Sequence, residues 1–309
     1  MPVKDGIKFA KNSLIQISRM VEDAEVIVVD DGSIDGTYEY CRSFAAFNPN
    51  FIVERSLGIG ISEALNYGIS IARNDWIARF DIDDDYELTR ISEQIQVLNS
   101  TNAILVFSDY TIYADGKKSL GLIPGGVLNL PTKLSLITGR RTPHPSAIFS
   151  KEVFFKAGGY FSQDAPAEDL SLWLRMCDLG NFATTDTSLL NYRLSATSTT
   201  VKNRTNSMVR RTEVLTRYPI RKEYFENLVS DLDNVVSQYS VLSSPGKRTL
   251  LMLLDIIKFS SFYGVKISPT QYLCLFRNFL RLNTLVAGLQ LFFQAKRRSR
   301  FRKNSSRLL

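Results

Sequence analysis

Two predicted strands of this chain each end in a cluster of acidic residues, and this pattern constrains the fold more than any other feature. The first strand, residues 25–29, is a β-branched run that precedes Asp30 and Asp31, and the second, residues 75–80, precedes Asp81 and Asp83. A continuous β-branched run is typical of a strand buried on both faces of a parallel sheet. Open α/β sheets bind ligands outside the carboxyl ends of their strands. The pattern therefore predicts an α/β fold with an acidic ligand site at one sheet edge.

Segments with helical spacing of apolar residues alternate with predicted strands over the first 110 residues. This alternation indicates βαβ units and a mostly parallel, Rossmann-like sheet flanked by helices. Residues 116–200 are less regular, and the remainder of the chain reads as helical. The predicted helices are residues 8–21, 36–47, 62–72, 86–99, 170–179, 208–217, 221–239, 247–262 and 270–294, and the remaining predicted strands are 51–54 and 103–107.

Charge divides the chain near residue 200. Of 38 Lys and Arg residues, 20 lie in residues 201–309, together with only 6 of the 31 acidic residues. The first 200 residues are therefore net acidic and the rest strongly basic, which indicates different duties for the two parts. We predict an α/β domain at 1–200 and a helical C-terminal region with a basic tail at 201–309.

The counts of cysteine and histidine exclude several functional classes. Cys41, Cys177 and Cys274 are far apart and odd in number, which argues against a disulfide scaffold and fits a reducing compartment. His144 is the only histidine, so sites built on histidine pairs are impossible, and general-base chemistry most simply falls to a carboxylate. No apolar run reaches the roughly 18 residues that span a bilayer, and no secretory signal opens the chain. We expect a cytoplasmic location.

The cluster of acidic residues after the second strand has two explanations, a cation site or a helix cap. Asp81, Asp83, Asp84 and Asp85 place four carboxylates in five positions, and their mutual repulsion favours a bound cation, for which oxygen ligands select Mg²⁺ or Mn²⁺. Alternatively, Asp84 or Asp85 caps a helix that begins at Tyr86. Capping accounts for one acid and leaves the others unexplained.

Two further segments carry candidate chemistry. Gly58–Ile59–Gly60 precedes a predicted helix and suits phosphate, although a simple glycine turn explains it equally well. Glu168 and Asp169 open another predicted helix, either as capping acids or as a general base. His144 lies between two prolines, where a structural role and a ligand-binding role both stay open.

Six segments in this order resemble the family 2 glycosyltransferases, which have the GT-A fold. The resemblance covers roughly residues 1–200, and the order of the segments makes it more specific than any one of them. They are the start around Pro2–Val3, the stretch from Val28 to Thr37 with Asp30–Asp31–Gly32–Ser33, the glycine-rich stretch from Leu57 to Gly68, the DxD-like Asp81–Ile82–Asp83, the acceptor-side Gly158–Gly159–Tyr160 with Glu168–Asp169 and Leu172–Trp173, and the closing Tyr192–Arg193.

The resemblance implies inverting transfer of a sugar from a nucleotide-diphosphate donor to a hydroxyl of a glycan or lipid-linked acceptor, as in polysaccharide biosynthesis. It assigns Asp169 as the general base, Asp83 as the ligand of a divalent cation, Mg²⁺ or Mn²⁺, and Glu168 and Trp173 to the acceptor side. Trp173 could stack on an acceptor sugar there, but its place on a helix face favours a core position. Contacts to the donor are assigned to Val3, Asp30, Asp31, Asn66 and Asp81. No nucleic-acid partner is expected.

Two departures from the family pattern keep an alternative open. The family's first strand extends further upstream of Pro2–Val3, so either the assigned start lies too far downstream or this strand is truncated. In addition, Ser195 replaces a histidine that often follows Tyr–Arg. The alternative is a degenerate, non-catalytic member that binds nucleotide sugar or serves as a scaffold. Separately, apolar helices followed by the basic tail from Lys296 onward suit peripheral contact with the anionic cytoplasmic face of the inner membrane.

Overall fold

The computed structural model describes residues 1–21, 24–56, 58–114, 117–121, 132–133, 136, 142–194, 204–218 and 251–257. Contacts divide the chain into two compact units, residues 1–222 and 223–309. Every element named below belongs to the first unit, and residues 251–257 form a helical stretch of the second. The division falls 22 residues after the predicted boundary at 200, so the helix that follows residue 203 belongs with the α/β unit.

A parallel three-stranded sheet forms the N-terminal part of the first unit. Its strand order is β1-β2-β3, and Val3 aligns with Asp30, which in turn aligns with Arg55. Helix α1 buries Ala10, Leu14 and Ile17, whose spacing places them on one face. The elements are β1 (Pro2–Val3), α1 (Ile7–Met20), β2 (Val26–Asp30), α2 (Thr37–Ala45), β3 (Phe51–Arg55) and α3 (Ile61–Ile71).

A second, mixed sheet follows in the chain. Its strand order is β4-β8-β6-β9-β5, with β7 paired to β6. Strands β6 and β9 are parallel, and the remaining pairs are antiparallel. The prediction of a parallel sheet flanked by helices is thus met by the first sheet, while the antiparallel pairs were not foreseen. The strands are β4 (Trp76–Ala78), β5 (Asp85–Tyr86), β6 (Ala103–Ala114), β7 (Lys117–Gly121), β8 (Ile148–Ser150) and β9 (Asn181–Leu194).

The remaining helices of this unit are α4 (Arg90–Thr101), α5 (Lys151–Lys156), α6 (Glu168–Met176) and α7 (Arg204–Arg217). The prediction that a helix begins at Tyr86 is wrong, because Tyr86 lies in β5 and pairs with Leu190. Its hydroxyl accepts a hydrogen bond from the Asp81 amide at 2.7 Å. Asp84 and Asp85 therefore do not cap a helix at this point, which removes the structural explanation offered for them.

Strand β1 has two residues and lies beside an apolar cavity of about 300 Å³. The Met1 amino group donates to the Ile27 carbonyl at 2.8 Å, and the Val29 amide donates to the Met1 carbonyl at 2.9 Å. Met1 thereby extends the pairing of β1 with β2. Burial lowers the pKa of the Met1 amino group to about 5.

Within the part of the chain that the structure describes, no helix combines the length and apolarity needed to cross a membrane. Residues 251–257 are helical, inside the helix predicted at 247–262. The helices predicted at 221–239 and 270–294, the basic tail and Ser195 lie outside the described residues.

Candidate active site

The nucleotide-side candidates lie at the ends of β1 and β2. Val3 is buried, and its carbonyl accepts from the Asp31 amide at 2.8 Å. The Asp30 carboxylate is fully buried; its Oδ1 accepts from the Ser33 amide at 3.0 Å and lies 3.5 Å from Arg55 Nε. Asp30 Oδ2 has no hydrogen-bond partner among the described residues. Because a buried polar atom without a partner is costly, Asp30 Oδ2 is a ready acceptor for a donor group of a ligand.

Asp31 connects the end of β2 to the glycine-rich segment. Its Oδ1 accepts from Ser56 Oγ at 2.7 Å, and its Oδ2 accepts from the Gly60 amide at 3.2 Å. Gly60 has φ +106°, a conformation that residues with a Cβ rarely adopt. This geometry fits the loop-organising role that the resemblance assigns to Asp31.

The acid cluster follows β4 and has the composition of a cation site. One carboxylate oxygen from each of Asp81, Asp83 and Asp84 lies within 4.8 Å of the others. Burial, followed by the negative charge of Asp81, raises the pKa of Asp83 to about 6 and raises the pKa of Asp84 as well. A hard divalent cation would relieve this repulsion, and carboxylate oxygens are the ligands that Mg²⁺ and Mn²⁺ prefer. The cluster therefore fits the predicted divalent cation. Asp84 is a member of the cluster, whereas the family resemblance assigns only Asp83 as a ligand of the cation.

Two arginines hold the cluster in place. Arg79 is 4% exposed, and its Nη1 lies 2.7 Å from Asp81 Oδ1. From β9, the Arg193 amide donates to Asp84 Oδ1 at 2.8 Å, and Arg193 Nε donates to the Asp83 carbonyl at 3.0 Å. Both arginines lie in the family-like segments, but their partners are set by tertiary contacts, and the sequence alone did not reveal these roles.

The candidate base lies in the first turn of α6, where the positive end of the helix dipole favours a carboxylate. Asp169 is half-buried, and its Oδ1 accepts from the Leu170 amide at 2.7 Å. Glu168 is more deeply buried, and its Oε2 has no partner within the described ranges. Burial, followed by the charge of Asp169, raises the pKa of Glu168 to about 7, and burial also raises the pKa of Asp169. Both carboxylates thus have a raised pKa, and Asp169 is the more exposed to solvent of the two.

Arg79 acts electrostatically on both the acid cluster and the candidate base. Its positive charge opposes the rise in the pKa of Asp83 and the rise in the pKa of Asp169. The negative charge of Asp81 contributes to the raised pKa of Glu168. Such effects are largest between charges that are close together and poorly screened by solvent. The two carboxylate groups are therefore electrostatically coupled.

Asn66 joins the glycine-rich segment to the acceptor side. Its side-chain amide donates to the Tyr160 carbonyl and accepts from the Tyr160 amide, both at 2.9 Å. A Cβ at Gly159, which has φ +69°, would lie 3.0 Å from Asn66 Oδ1. The Asn66 amide is thus engaged in aligning two segments, and its assignment as a donor-binding residue stays a prediction.

Trp173 lies in the core rather than on the acceptor side. The side chain is fully buried and packs edge-on against Phe107, His144 and Phe149 at ring-centroid distances of 5.5 to 5.8 Å. Its position on α6 turns it toward the second sheet, because the apolar face of the helix must be buried. The assignment of Trp173 as an acceptor contact is therefore corrected: its ring positions α6.

His144 belongs to the same buried layer. Its Nε2 lies 2.7 Å from the Tyr160 hydroxyl, and the side chain is 9% exposed. Burial, followed by the positive charge of Arg79, holds the pKa of His144 well below its usual value. The sequence left a structural role and a ligand-binding role open for His144. A neutral imidazole that is hydrogen-bonded to Tyr160 supports the structural role.

The depressed pKa of His144 predicts a pH-dependent contribution to stability. The unfolded chain binds a proton at His144 near pH 6.5, whereas the folded chain does not, so this residue lowers stability as pH falls below 6.5. The loss is expected to reach about 1.4 kcal/mol per pH unit until the folded-state pKa is passed. Denaturant unfolding of wild type and His144→Gln between pH 7.5 and 5 measures it. A stability difference between the two proteins that stays constant with pH would contradict the prediction.

Comparison with known proteins agrees with this geometry. Residues 4–154 match the sequence profile described as "Glycosyl transferase family 2". An uncharacterized glycosyltransferase of Haemophilus influenzae is 24% identical over 73% of this chain and 72% of its own length. The Escherichia coli UDP-Gal:alpha-D-GlcNAc-diphosphoundecaprenol beta-1,3-galactosyltransferase is 24% identical over 56% of this chain and 64% of its own length.

Solved structures show the same fold. TarS 1–349 of S. aureus in complex with UDP-GlcNAc superposes with a TM-score of 0.56 at 12% identity, covering 91% of this chain and 79% of that one. Mannosyltransferase PcManGT of Pyrobaculum calidifontis, in complex with GDP-Man and Mn²⁺, superposes with a TM-score of 0.57 at 15% identity over the same shares.

A parallel three-stranded sheet flanked by helices, followed by a mixed sheet, and the likeness to the solved structures define an α/β protein of the GT-A fold. Residues 4–154 are a family 2 glycosyltransferase domain, and the relatives along the chain are glycosyltransferases.

Proposed function

We propose that this protein transfers a sugar, with inversion, from a nucleotide-diphosphate sugar to a hydroxyl of a glycan or lipid-linked acceptor. The observation that carries the proposal is the acid cluster, in which carboxylate oxygens of Asp81, Asp83 and Asp84 lie within 4.8 Å of one another. Its electrostatic coupling to the Glu168–Asp169 pair supports the proposal. An acidic cluster suits the diphosphate side of such a reaction, and an ionised carboxylate suits its alcohol side.

The need for a general base follows from the weak acidity of the acceptor hydroxyl. An alcohol is a weak nucleophile until a base removes its proton as it attacks. Asp169 takes the proton of the acceptor hydroxyl while that oxygen bonds to the anomeric carbon, and the bond from this carbon to the diphosphate oxygen breaks. The nucleoside diphosphate leaves with the bonding electrons. Attack opposite the leaving group inverts the anomeric centre, so that no covalent intermediate on the protein is required.

The diphosphate side depends on Asp83, with Asp81 and Asp84 within reach of the same ion. A divalent cation bound there supplies positive charge that stabilises the departing diphosphate. Asp30, through its unpartnered Oδ2, and Val3 are proposed to line the nucleobase pocket, and Asp31 to keep the glycine-rich segment in position. Asp81, held by Arg79, is proposed to face the nucleoside as well as the ion.

The comparisons support the donor class. Two similar structures are complexes with UDP-GlcNAc and with GDP-Man, and the second also contains Mn²⁺. Other relatives include a chondroitin synthase of Pasteurella multocida and an amylovoran biosynthesis glycosyltransferase of Erwinia amylovora, although the chain spans only 19% and 59% of their lengths. Peripheral contact with an anionic membrane through the basic tail stays a proposal that rests on the sequence.

Release of nucleoside diphosphate tests the proposal. The purified chain is incubated with UDP-, GDP- and dTDP-sugars and Mn²⁺, and released nucleotide is measured with and without EDTA. We expect release from at least one donor that EDTA abolishes, because charge on the leaving diphosphate must be offset. Donor binding by calorimetry without release, in the presence of candidate lipid-linked and glycan acceptors, would instead favour the non-catalytic alternative.

A further inference from the structure

We propose that Asp164 and Arg217 are positioning residues that fix the first turn of α6, so that helix α7 is part of the catalytic unit. The inference rests on the proposed role of Asp169 and adds a requirement that the family match, which ends at residue 154, does not contain. Neither residue is assigned to substrate contact.

Asp164 is a fully buried carboxylate with partners on two different helices. Its Oδ2 accepts a hydrogen bond from Ser171 Oγ of α6, and its Oδ1 accepts one from Arg217 Nη1 of α7. A buried carboxylate requires both hydrogen bonds and a compensating positive charge. Ser171 supplies a hydrogen bond and Arg217 supplies the positive charge. Asp164 therefore ties α6 to α7.

The same contacts bracket the candidate base along the chain. The Asp164 carbonyl accepts from the Ala167 amide at 2.8 Å, and the Ser171 amide donates to the Ala167 carbonyl at 3.0 Å. The side chain of Ser171 donates to the Asp164 carboxylate. Glu168 and Asp169 lie in the sequence between Ala167 and Ser171. The three hydrogen bonds therefore hold both ends of the short segment that carries the candidate base.

Helix α7 presents one face to this region. Val214 is fully buried, and Arg217 lies three residues further along the helix. Arg211, three residues before Val214, lies close enough for its positive charge to lower the pKa of Asp169. Residues three apart lie on the same side of a helix. One face of α7 thus serves both Asp164 and the surroundings of Asp169.

The chain contains a matched control on the same helix. Arg210 Nη1 pairs with Glu213 Oε2 at 2.7 Å, and both side chains are exposed by more than a third. Exposed ion pairs contribute little, whereas removing one partner of a buried carboxylate leaves that charge uncompensated. Arg217 is itself 40% exposed, so that its substitution changes the charge on Asp164 without opening a hole in the core.

The experiment compares Arg217→Gln, Asp164→Asn and Arg210→Gln in the full chain, at a temperature well below each melting transition. We expect Arg217→Gln to lower kcat for sugar transfer about 10- to 100-fold, since small displacements of a catalytic group have effects of this size. Donor KM is expected to stay unchanged, and Arg210→Gln to behave as wild type. Arg217→Lys, which keeps the charge, should recover part of the loss. Combining Arg217→Gln with Asp164→Asn should add little to either.

The outcomes distinguish failure of the positioning role from failure of the proposed function. Wild-type kcat in Arg217→Gln, or equal loss in Arg210→Gln, would overturn the inference even if Asp164→Asn fails to fold. A parallel loss of donor affinity and kcat would also overturn it, because it would indicate general disruption. If Asp169→Asn keeps full activity, the proposed function fails instead, whatever Arg217→Gln does.

Discussion

Replacing Asp169 with asparagine is expected to lower the rate of sugar transfer about 10²- to 10⁴-fold, the usual contribution of a general base. Asparagine keeps the shape of the side chain and its bond from the Leu170 amide but cannot accept a proton at neutral pH. The loss should therefore appear in kcat, while donor KM and thermal stability change little. Initial rates at saturating donor and acceptor measure it.

Glu168→Gln is the informative companion to this variant. Glu168 is more buried than Asp169, and its raised pKa of about 7 leaves it only partly ionised near neutral pH. We expect a smaller loss of kcat than in Asp169→Asn. The acidic limb of the pH–rate profile should shift to lower pH, because the pKa of Asp169 falls when it loses a neighbouring negative charge. A larger loss in Glu168→Gln would move the base assignment from Asp169 to Glu168.

Replacing Asp83 with asparagine is expected to have the second large effect. It removes one of three carboxylates within 4.8 Å and hence the charge that would hold a divalent cation. Stabilisation of a leaving diphosphate by a metal amounts to several kcal/mol, so turnover should fall on the order of 10²- to 10³-fold. Titration with Mn²⁺ by calorimetry should show weaker binding, which separates loss of the cation from loss of the donor.

Glu87→Gln provides the control for Asp83→Asn. Glu87 lies four residues after Asp83, at the end of β5, and its exposed carboxylate accepts from the Asn191 side chain at 3.2 Å and is not a member of the cluster. It should leave both Mn²⁺ affinity and turnover unchanged, because the removed charge is screened by solvent. Turnover by Asp83→Asn at the wild-type rate, in Mn²⁺ or in EDTA, would show that the cluster is not a catalytic metal site.

Local pattern predicted the elements that carry strong periodicity. The β-branched run of β2 and the helix that follows the glycine-rich segment appear within one residue of the predicted bounds. The strand predicted at 103–107 begins at Ala103 but continues to Ala114. The start of α4 was misplaced by four residues, because Tyr86 pairs in β5 with a strand that lies 100 residues later. The antiparallel part of the second sheet depends on similarly distant partners, which a single sequence does not reveal.

The residue types and their order were sufficient to indicate the fold, the family and the carboxylates proposed to carry the chemistry, because α/β folds place their ligands beyond the carboxyl ends of strands. Only the tertiary structure decided that the two acid-tipped strands, β2 and β4, belong to different sheets, and what surrounds their acids. Arg79 paired with Asp81, Asn66 was engaged by the Tyr160 backbone 94 residues away, and Trp173 turned into the core. These roles depend on burial and on contacts between distant segments, and neither is encoded in the spacing of residues along the chain.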